Sequence, residues 1–174
     1  MVTHASHTLR ILGAAAVAAL AGSARAQIAA GDPFPPIAVS GVVAASAIPQ
    51  IKGHVAVVDF WASWCAPCKA SFPAYSRLQN AYRDRGLIVV GVSIDKDEGA
   101  YASFLAKLKP DFATVRDSQF TLVGTVQVPT MPTSYLVDRT GTVRFVHAGF
   151  RGEQTERELR GEIETLLGEK PPAP

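Results

Sequence analysis

Apolar positions along this chain change period several times, and each change marks an element. "HVAVVDF" (54–60) is a short, almost unbroken apolar run rich in valine, the pattern of a strand buried on both faces. Beyond it Phe72, Tyr75, Leu78 and Tyr82 recur at helical spacing, which predicts a helix over about 66–85 with Pro73 kinking it. "LIVVGVSID" (87–95) reads as a second buried strand. Tyr101, Phe104, Leu105 and Leu108 then mark an amphipathic helix that Pro110 ends. "FATVRD" is a short strand and 118–123 a short helix. "TSYLVDRTGTVRFVHAG" alternates about a turn at 138–141 and predicts an antiparallel hairpin. The last helix carries Leu159, Ile163, Leu166 and Leu167 on one face, and 168–174 is a frayed tail. Between Gln27 and His54, "GDPFPPIAVSGVVAASAIPQIKG" reads as an extension with a strand or hairpin.

The alternation of strands and helices predicts one α/β domain over 27–174, with no internal repeat and no second domain. A length of 174 residues, 48% of them hydrophobic, is enough to bury a proper core. Charge adds little. Of 17 Lys and Arg, two (Arg10 and Arg25) fall in the first 26 residues, which hold no acid, so the remainder balances at 15 against 15. That leaves no basic field for nucleic acid and no polybasic arm for a membrane.

The first 26 residues have their own logic. Arg10 precedes "ILGAAAVAALAG", an apolar run too short to span a bilayer comfortably, and "SARAQ" follows with Ala24 and Ala26 in small-x-small spacing. This predicts a signal peptide over 1–26, cleaved to leave Gln27, and a bacterial periplasmic location. An uncleaved anchor and a buried Ala-rich helix are the competing readings.

Export sharpens the question of the two cysteines, Cys65 and Cys68, which are the only ones in the chain. A disulfide closing a loop of about four residues constrains the unfolded chain little, so a structural staple explains them poorly. Structural zinc wants four ligands, and no second Cys or His pair stands at suitable spacing; His54 and His147 are isolated and read as surface or edge residues. Redox chemistry remains. Cys65 falls where the strand hands over to the helix, and unpaired amides at a helix N-terminus favour a thiolate. Cys68 lies one turn further in, placed to resolve what Cys65 attacks. Pro67 suits the first turn, where a missing N–H costs nothing. Asp59, alone among Val, Ala and Phe, is either turned to solvent at the strand end or buried as a carboxyl with a raised pKa, able to take the Cys68 proton.

"VVDFWASWCAPCK" resembles a thioredoxin-fold active site, and with Lys52, Gly53 and "VPTMPTSYLVD" the longer pattern is similar to the exported TlpA/ResA-like thioredoxins. The resemblance implies a thioredoxin fold: a central mixed sheet flanked by helices, with an N-terminal β extension and an inserted helix–strand unit. It implies that Met131–Pro132 is a cis segment opposite the cysteines. Trp64, Ala66, Pro67, Met131 and Pro132 would then contact substrate, with Cys65, Cys68 and Asp59 catalytic, while Trp61 is structural. Thioredoxin itself has an Asp where this chain has Asp59; TlpA/ResA-like proteins commonly have Asn there and a Glu three residues after the second cysteine, where this chain has Ser71. A Lys that neighbours the Asp of thioredoxin is matched here by Gly91, so Asp59 should lack that partner.

The function implied is a monomeric protein-disulfide reductase needing no cofactor or metal. Its partners would be client proteins with cysteine pairs, in cytochrome c or copper-site maturation, and a membrane thiol-reductant transporter as electron donor. A peroxiredoxin shares the fold but wants Thr near a single peroxidatic Cys, which Trp64-Cys65 does not provide. Two further rivals stay open: a Cu(I) carrier using both thiolates, and an oxidant or isomerase of the same chemistry.

Overall fold

The computed structural model describes residues 27–38, 41–44 and 48–171; the expected signal peptide at 1–26 lies outside the described residues. The strands are β1 (Val42–Ala44), β2 (Val55–Trp61), β3 (Leu87–Ser93), β4 (Ala113–Asp117), β5 (Thr133–Val137) and β6 (Val143–Ala148). The helices are α1 (Ala66–Tyr82), α2 (Glu98–Leu108), α3 (Thr121–Val126) and α4 (Glu153–Gly168). The strands form one mixed sheet in the order β1-β4-β3-β2-β5-β6. β2, the valine-rich run, is buried at every position and takes a central place, parallel to β3 and antiparallel to β5. α2 and β4 form the inserted helix–strand unit, and β1 is the N-terminal extension, paired antiparallel to β4.

Alternation along β2 sends successive side chains to opposite faces and so divides the core in two. Val55, Val57 and Trp61 face α1, α2 and α4, where they meet Phe72, Tyr75, Leu78, Phe104, Leu159 and Ile163. Ala56, Val58 and Phe60 face the other way, toward Phe34 and Ile37 of the N-terminal segment and Leu122 and Val126 of α3. Each large apolar side chain so buried contributes about 1.5–3 kcal/mol relative to an exposed one. Trp61 anchors the first face: its ring stacks on Phe104 at 4.5 Å and meets Phe72 edge-on at 4.8 Å between centroids.

Several boundaries differ from the sequence expectation, each for a local reason. α1 passes through Pro73 as one helix and stops at Tyr82; 83–85 form a short 3-10 turn that Gly86 ends with φ 93°, a left-handed conformation suited to glycine. α3 begins three residues later than expected, because the buried Asp117 carboxylate accepts from Thr121 N (2.9 Å) and Val123 N (2.8 Å). The tail is held through Glu169. Arg139 donates to the carbonyls of Leu166 and Glu169 at the end of α4, and Arg144 pairs with the Glu169 carboxylate.

Gly91 of β3 is required by this packing. A Cβ there would stand 2.9 Å from Trp61 Nε1 and 3.1 Å from a Phe112 ring carbon. Gly91→Ala is therefore expected to destabilise the fold by about 1–3 kcal/mol, the usual cost of overpacking, read as a lower urea midpoint with an unchanged slope.

Candidate active site

The connection from β2 to α1 is short and tightly held. Asp95, just past β3, accepts from Ser63 N at 2.9 Å, from Ser63 Oγ at 2.8 Å and from Ser93 Oγ at 2.8 Å. This carboxylate fastens the turn before the cysteines to the end of the neighbouring strand. Cys65 N then donates to Ala62 O at 3.1 Å, and Cys65 becomes the N-cap of α1. Its extended backbone (φ −84°, ψ 108°) lets Sγ accept from Cys68 N at 3.3 Å. Ala66 and Pro67 occupy the first two helical positions, where no intrahelical donor is needed.

One turn of helix brings the two sulfurs together, and Cys65 and Cys68 are joined as a disulfide with Cα atoms 5.3 Å apart. Their exposures differ in the sense that matters: Cys65 is 5% accessible and Cys68 is 0%. Around them Trp64 is 69% exposed, and Ala66, Pro67 and Lys69 also face solvent. Met131–Pro132 is cis. It precedes β5, whose first residue Thr133 pairs with Phe60, so this segment lies at the end of β2 from which the cysteine turn leaves. Met131 packs against the cluster that contains both cysteines. Trp61 is fully buried in the core, as expected of a structural tryptophan.

Asp59 is buried completely, which excludes the reading of a strand-end carboxyl turned to solvent. It shares the face of Val57 and Trp61, the face covered by Cys68, Phe72 and Tyr75 of α1. Its Oδ1 accepts from the Tyr75 hydroxyl at 3.0 Å, whereas Oδ2 has no partner among the described residues. Burial raises its pKa well above the usual carboxylate range, and the Tyr75 hydrogen bond only partly opposes this. Gly91 is its register partner on β3, as the resemblance implied, so no lysine stands there. Ser134 is its register partner on β5. Ser71, at the position of the expected glutamate, donates its hydroxyl to Cys68 O at 3.0 Å and is spent on the helix backbone.

The structure brings Cys65, Cys68, Trp64 and the Met131–Pro132 segment to the end of β2 from which α1 leaves, with Asp59 buried on the face that Cys68 covers. Sequence reasoning missed Asp95 as the clamp on the turn, and it read Tyr75 as a core aromatic only. The signal for Asp95 was slight: an acid ending a buried strand. Tyr75 carried none, because a tyrosine at a helical core position looks like any other aromatic. His54 is exposed, and His147 lies on the edge strand β6 with its Nε2 2.7 Å from Glu162 Oε2.

A family model described as AhpC/TSA family matches residues 30–146. Among curated relatives, a thiol-disulfide oxidoreductase ResA of Bacillus cereus is 29% identical over 117 residues, covering 67% of this chain and 66% of that protein. The thioredoxin-like protein YneN of Bacillus subtilis is 30% identical, covering 68% and 69%. The chain thus spans 66% of that ResA's length, just under two thirds. Among solved structures, a protein assigned as the thiol:disulfide interchange protein DsbE of Chlorobium tepidum superposes with a TM-score of 0.75 at 33% identity, covering 82% of this chain and all of that one. A secreted Mycobacterium tuberculosis disulfide oxidoreductase homologous to Escherichia coli DsbE superposes with a TM-score of 0.59 at 27% identity, covering 67% and 84%. The fold is thioredoxin-like.

The environment of Asp59 predicts a pH-dependent stability. A carboxyl whose folded pKa lies above its unfolded value of about 3.9 leaves the folded state holding the proton longer, so stability falls as pH rises from about 4 through the folded pKa. Asp59→Asn removes that loss. Its thermal midpoint should exceed the parent's at alkaline pH, with the gap narrowing toward pH ~4; a gap that widens on acidification would contradict the buried-carboxyl assignment.

Proposed function

The chain belongs to the AhpC/TSA family, and from that membership and the geometry of its cysteine pair we propose an exported thiol:disulfide oxidoreductase that reduces cysteine pairs of client proteins. The observation that carries this reading is the asymmetry of the pair. Cys65 caps α1 as the less buried of the two, 5% exposed beside an exposed Trp64, while Cys68 is sealed beneath it on the face that holds the buried Asp59. The sulfur over the helix N-terminus that keeps some access to solvent can attack; the fully buried one can only resolve.

In the reduced protein the Cys65 thiolate attacks one sulfur of a client disulfide. A mixed disulfide forms, and the first client sulfur leaves as a thiolate that takes a proton from water. Cys68 then loses its proton to Asp59, the buried carboxyl on that face, and its thiolate attacks Cys65 Sγ. The second client sulfur leaves and is protonated in turn. Two electrons pass to the client, and the protein is left with the Cys65–Cys68 disulfide. The exposed Trp64, Ala66 and Pro67, together with the half-buried Met131 and the backbone at the buried Pro132, form the surface against which an extended client segment docks.

Export is supported by the Arg10, "ILGAAAVAALAG" and "SARAQ" series and by the likeness to a secreted oxidoreductase. The resemblance to TlpA/ResA-like proteins favours apocytochrome c or copper-site proteins as clients, with a membrane thiol-reductant transporter restoring the dithiol. The residues between the cysteines favour the reducing direction. Ala66 and Pro67 offer no cation to hold the thiolate, and Lys69 is exposed beyond the pair. A less stabilised thiolate makes the dithiol the better reductant.

Substrate trapping tests the roles. Cys68→Ser is expected to accumulate mixed disulfides with clients and Cys65→Ser to accumulate none; equal trapping by both would reverse or dissolve the assignment. Equilibration with glutathione or dithiothreitol tests the direction. The potential should lie nearer the roughly −270 mV of thioredoxin than the roughly −120 mV of DsbA, and a value above about −170 mV would place the protein on the oxidising side. Hydroperoxide turnover or tight Cu(I) binding without insulin reduction would favour the rival readings.

A further inference from the structure

Asp59 does not stand alone on its sheet face. Its register partner on β5 is Ser134, and the register partner of Ser134 on β6 is His147. Directly opposite residues on antiparallel strands project to the same face with Cβ atoms about 4.5–5.5 Å apart. The next row of the same face is Val57, Leu136 and Phe145, all apolar. One polar row therefore crosses a hydrophobic face from the centre of the sheet to its edge. Two of its groups, Asp59 Oδ2 and Ser134 Oγ, are buried without a hydrogen-bond partner among the described residues, which in a packed interior calls for an explanation.

The row is closed on one side and open on the other. Toward β3 the next residue is Gly91, covered by the Trp61 indole and the Phe112 ring. Toward β6 it ends at His147, whose Nε2 lies 2.7 Å from Glu162 Oε2 and whose Nδ1 lies 3.7 Å from Glu158 Oε2, both on α4. Glu158 also pairs with Arg151, while Arg144 is engaged by Asp138 and Glu169. A surface cavity of about 410 Å³, lined by Gln27, Arg144, His147 and Glu162, opens there to solvent. The other side chains that α4 buries are Thr155, whose Oγ1 accepts from Arg151 N at 3.0 Å, and the apolar Leu159, Ile163 and Leu166.

We propose that Ser134 and His147 form a proton path linking the buried Asp59 carboxyl to solvent at the β6–α4 edge. It rests on the reading of Asp59 as the acceptor of the Cys68 proton. A carboxyl sealed under α1 must return to its ionised form before it can accept that proton, and it must lose the proton again after each turnover. The Tyr75 hydroxyl donates to Oδ1 and so leaves Oδ2 as the protonated oxygen. Neither Oδ2 to Ser134 nor Ser134 to His147 is a direct hydrogen bond. The proton therefore crosses through water between them, with Ser134 accepting on one side and donating on the other. His147 takes it on one ring nitrogen and releases one from the other to Glu162 or to water in the cavity. One proton leaves Asp59 and one reaches solvent, and no electrons move. Ser134 and His147 touch neither client nor sulfur and act only through Asp59.

Rapid mixing of the reduced, full exported protein with a fluorescent peptide disulfide separates the attack by Cys65 from the resolving step. His147→Gln and Ser134→Ala are expected to slow the resolving phase by about tenfold near neutral pH, at the low end of what positioned proton transfer contributes, with the attack phase unchanged. The defect should close as pH rises and Asp59 ionises without help. Added imidazole, entering the edge cavity, should restore His147→Gln and not Ser134→Ala. Parent rates in either variant, or slowing that is equal at every pH and indifferent to imidazole, would overturn the path. If Asp59→Asn slows resolution while His147→Gln does not, the path fails and the role of Asp59 stands. If Asp59→Asn leaves resolution untouched, the role of Asp59 itself fails.

Discussion

A carboxyl group out of contact with water, on the central strand and under the first turns of α1, is the constraint around which the rest of this site is arranged. Holding Asp59 ionised there costs several kcal/mol even after relaxation, and the group escapes much of that by keeping its proton. The fold tolerates it because the surrounding face is otherwise apolar and well packed, so the penalty is set against many buried side chains. In the proposed mechanism the gain is functional: a base whose affinity for protons lies nearer that of a thiol than an exposed aspartate's would.

That gain depends on position, and position depends on a second carboxylate. Asp95 accepts from three donor groups of Ser63 and Ser93 and thereby fixes the few residues between Trp61 and Cys65. With this turn pinned, α1 begins where its N-terminal amides meet the sulfur of Cys65, and Cys68 comes to rest on the face of Asp59. Two aspartates thus divide the labour. Asp95 is satisfied and structural; Asp59 is left half satisfied, its Oδ2 without a partner among the described residues.

The departures from the TlpA/ResA-like pattern fit together in the same way. Where those relatives put a glutamate after the cysteines, this chain has Ser71, which bonds to the helix backbone, and in the proposed mechanism proton transfer falls to Asp59. Where thioredoxin has a lysine on the next strand, this chain has Gly91, and the space goes to the Trp61 indole and Phe112. Tyr75 then supplies the one hydrogen bond the carboxyl receives among the described residues. The polar register neighbours of Asp59 consequently lie on β5 and β6.

Much of this was legible in the order of residues. Unbroken valine runs specify strands buried on both faces, and the 3.6-residue recurrence after Cys68 specifies a helix, because burial of apolar area is the dominant driving force and acts on local periodicity. Two cysteines at helix-turn spacing on a strand–helix junction sufficed to indicate redox chemistry. What the order of residues left open was everything set by register between distant strands. Whether Asp59 faced solvent or core, that Ser134 and His147 fall in its row, and that Asp95 reaches back 32 residues to Ser63 follow from how β2, β3, β5 and β6 align. Register is fixed by the summed fit of both faces of the sheet, and no single stretch of sequence contains that sum.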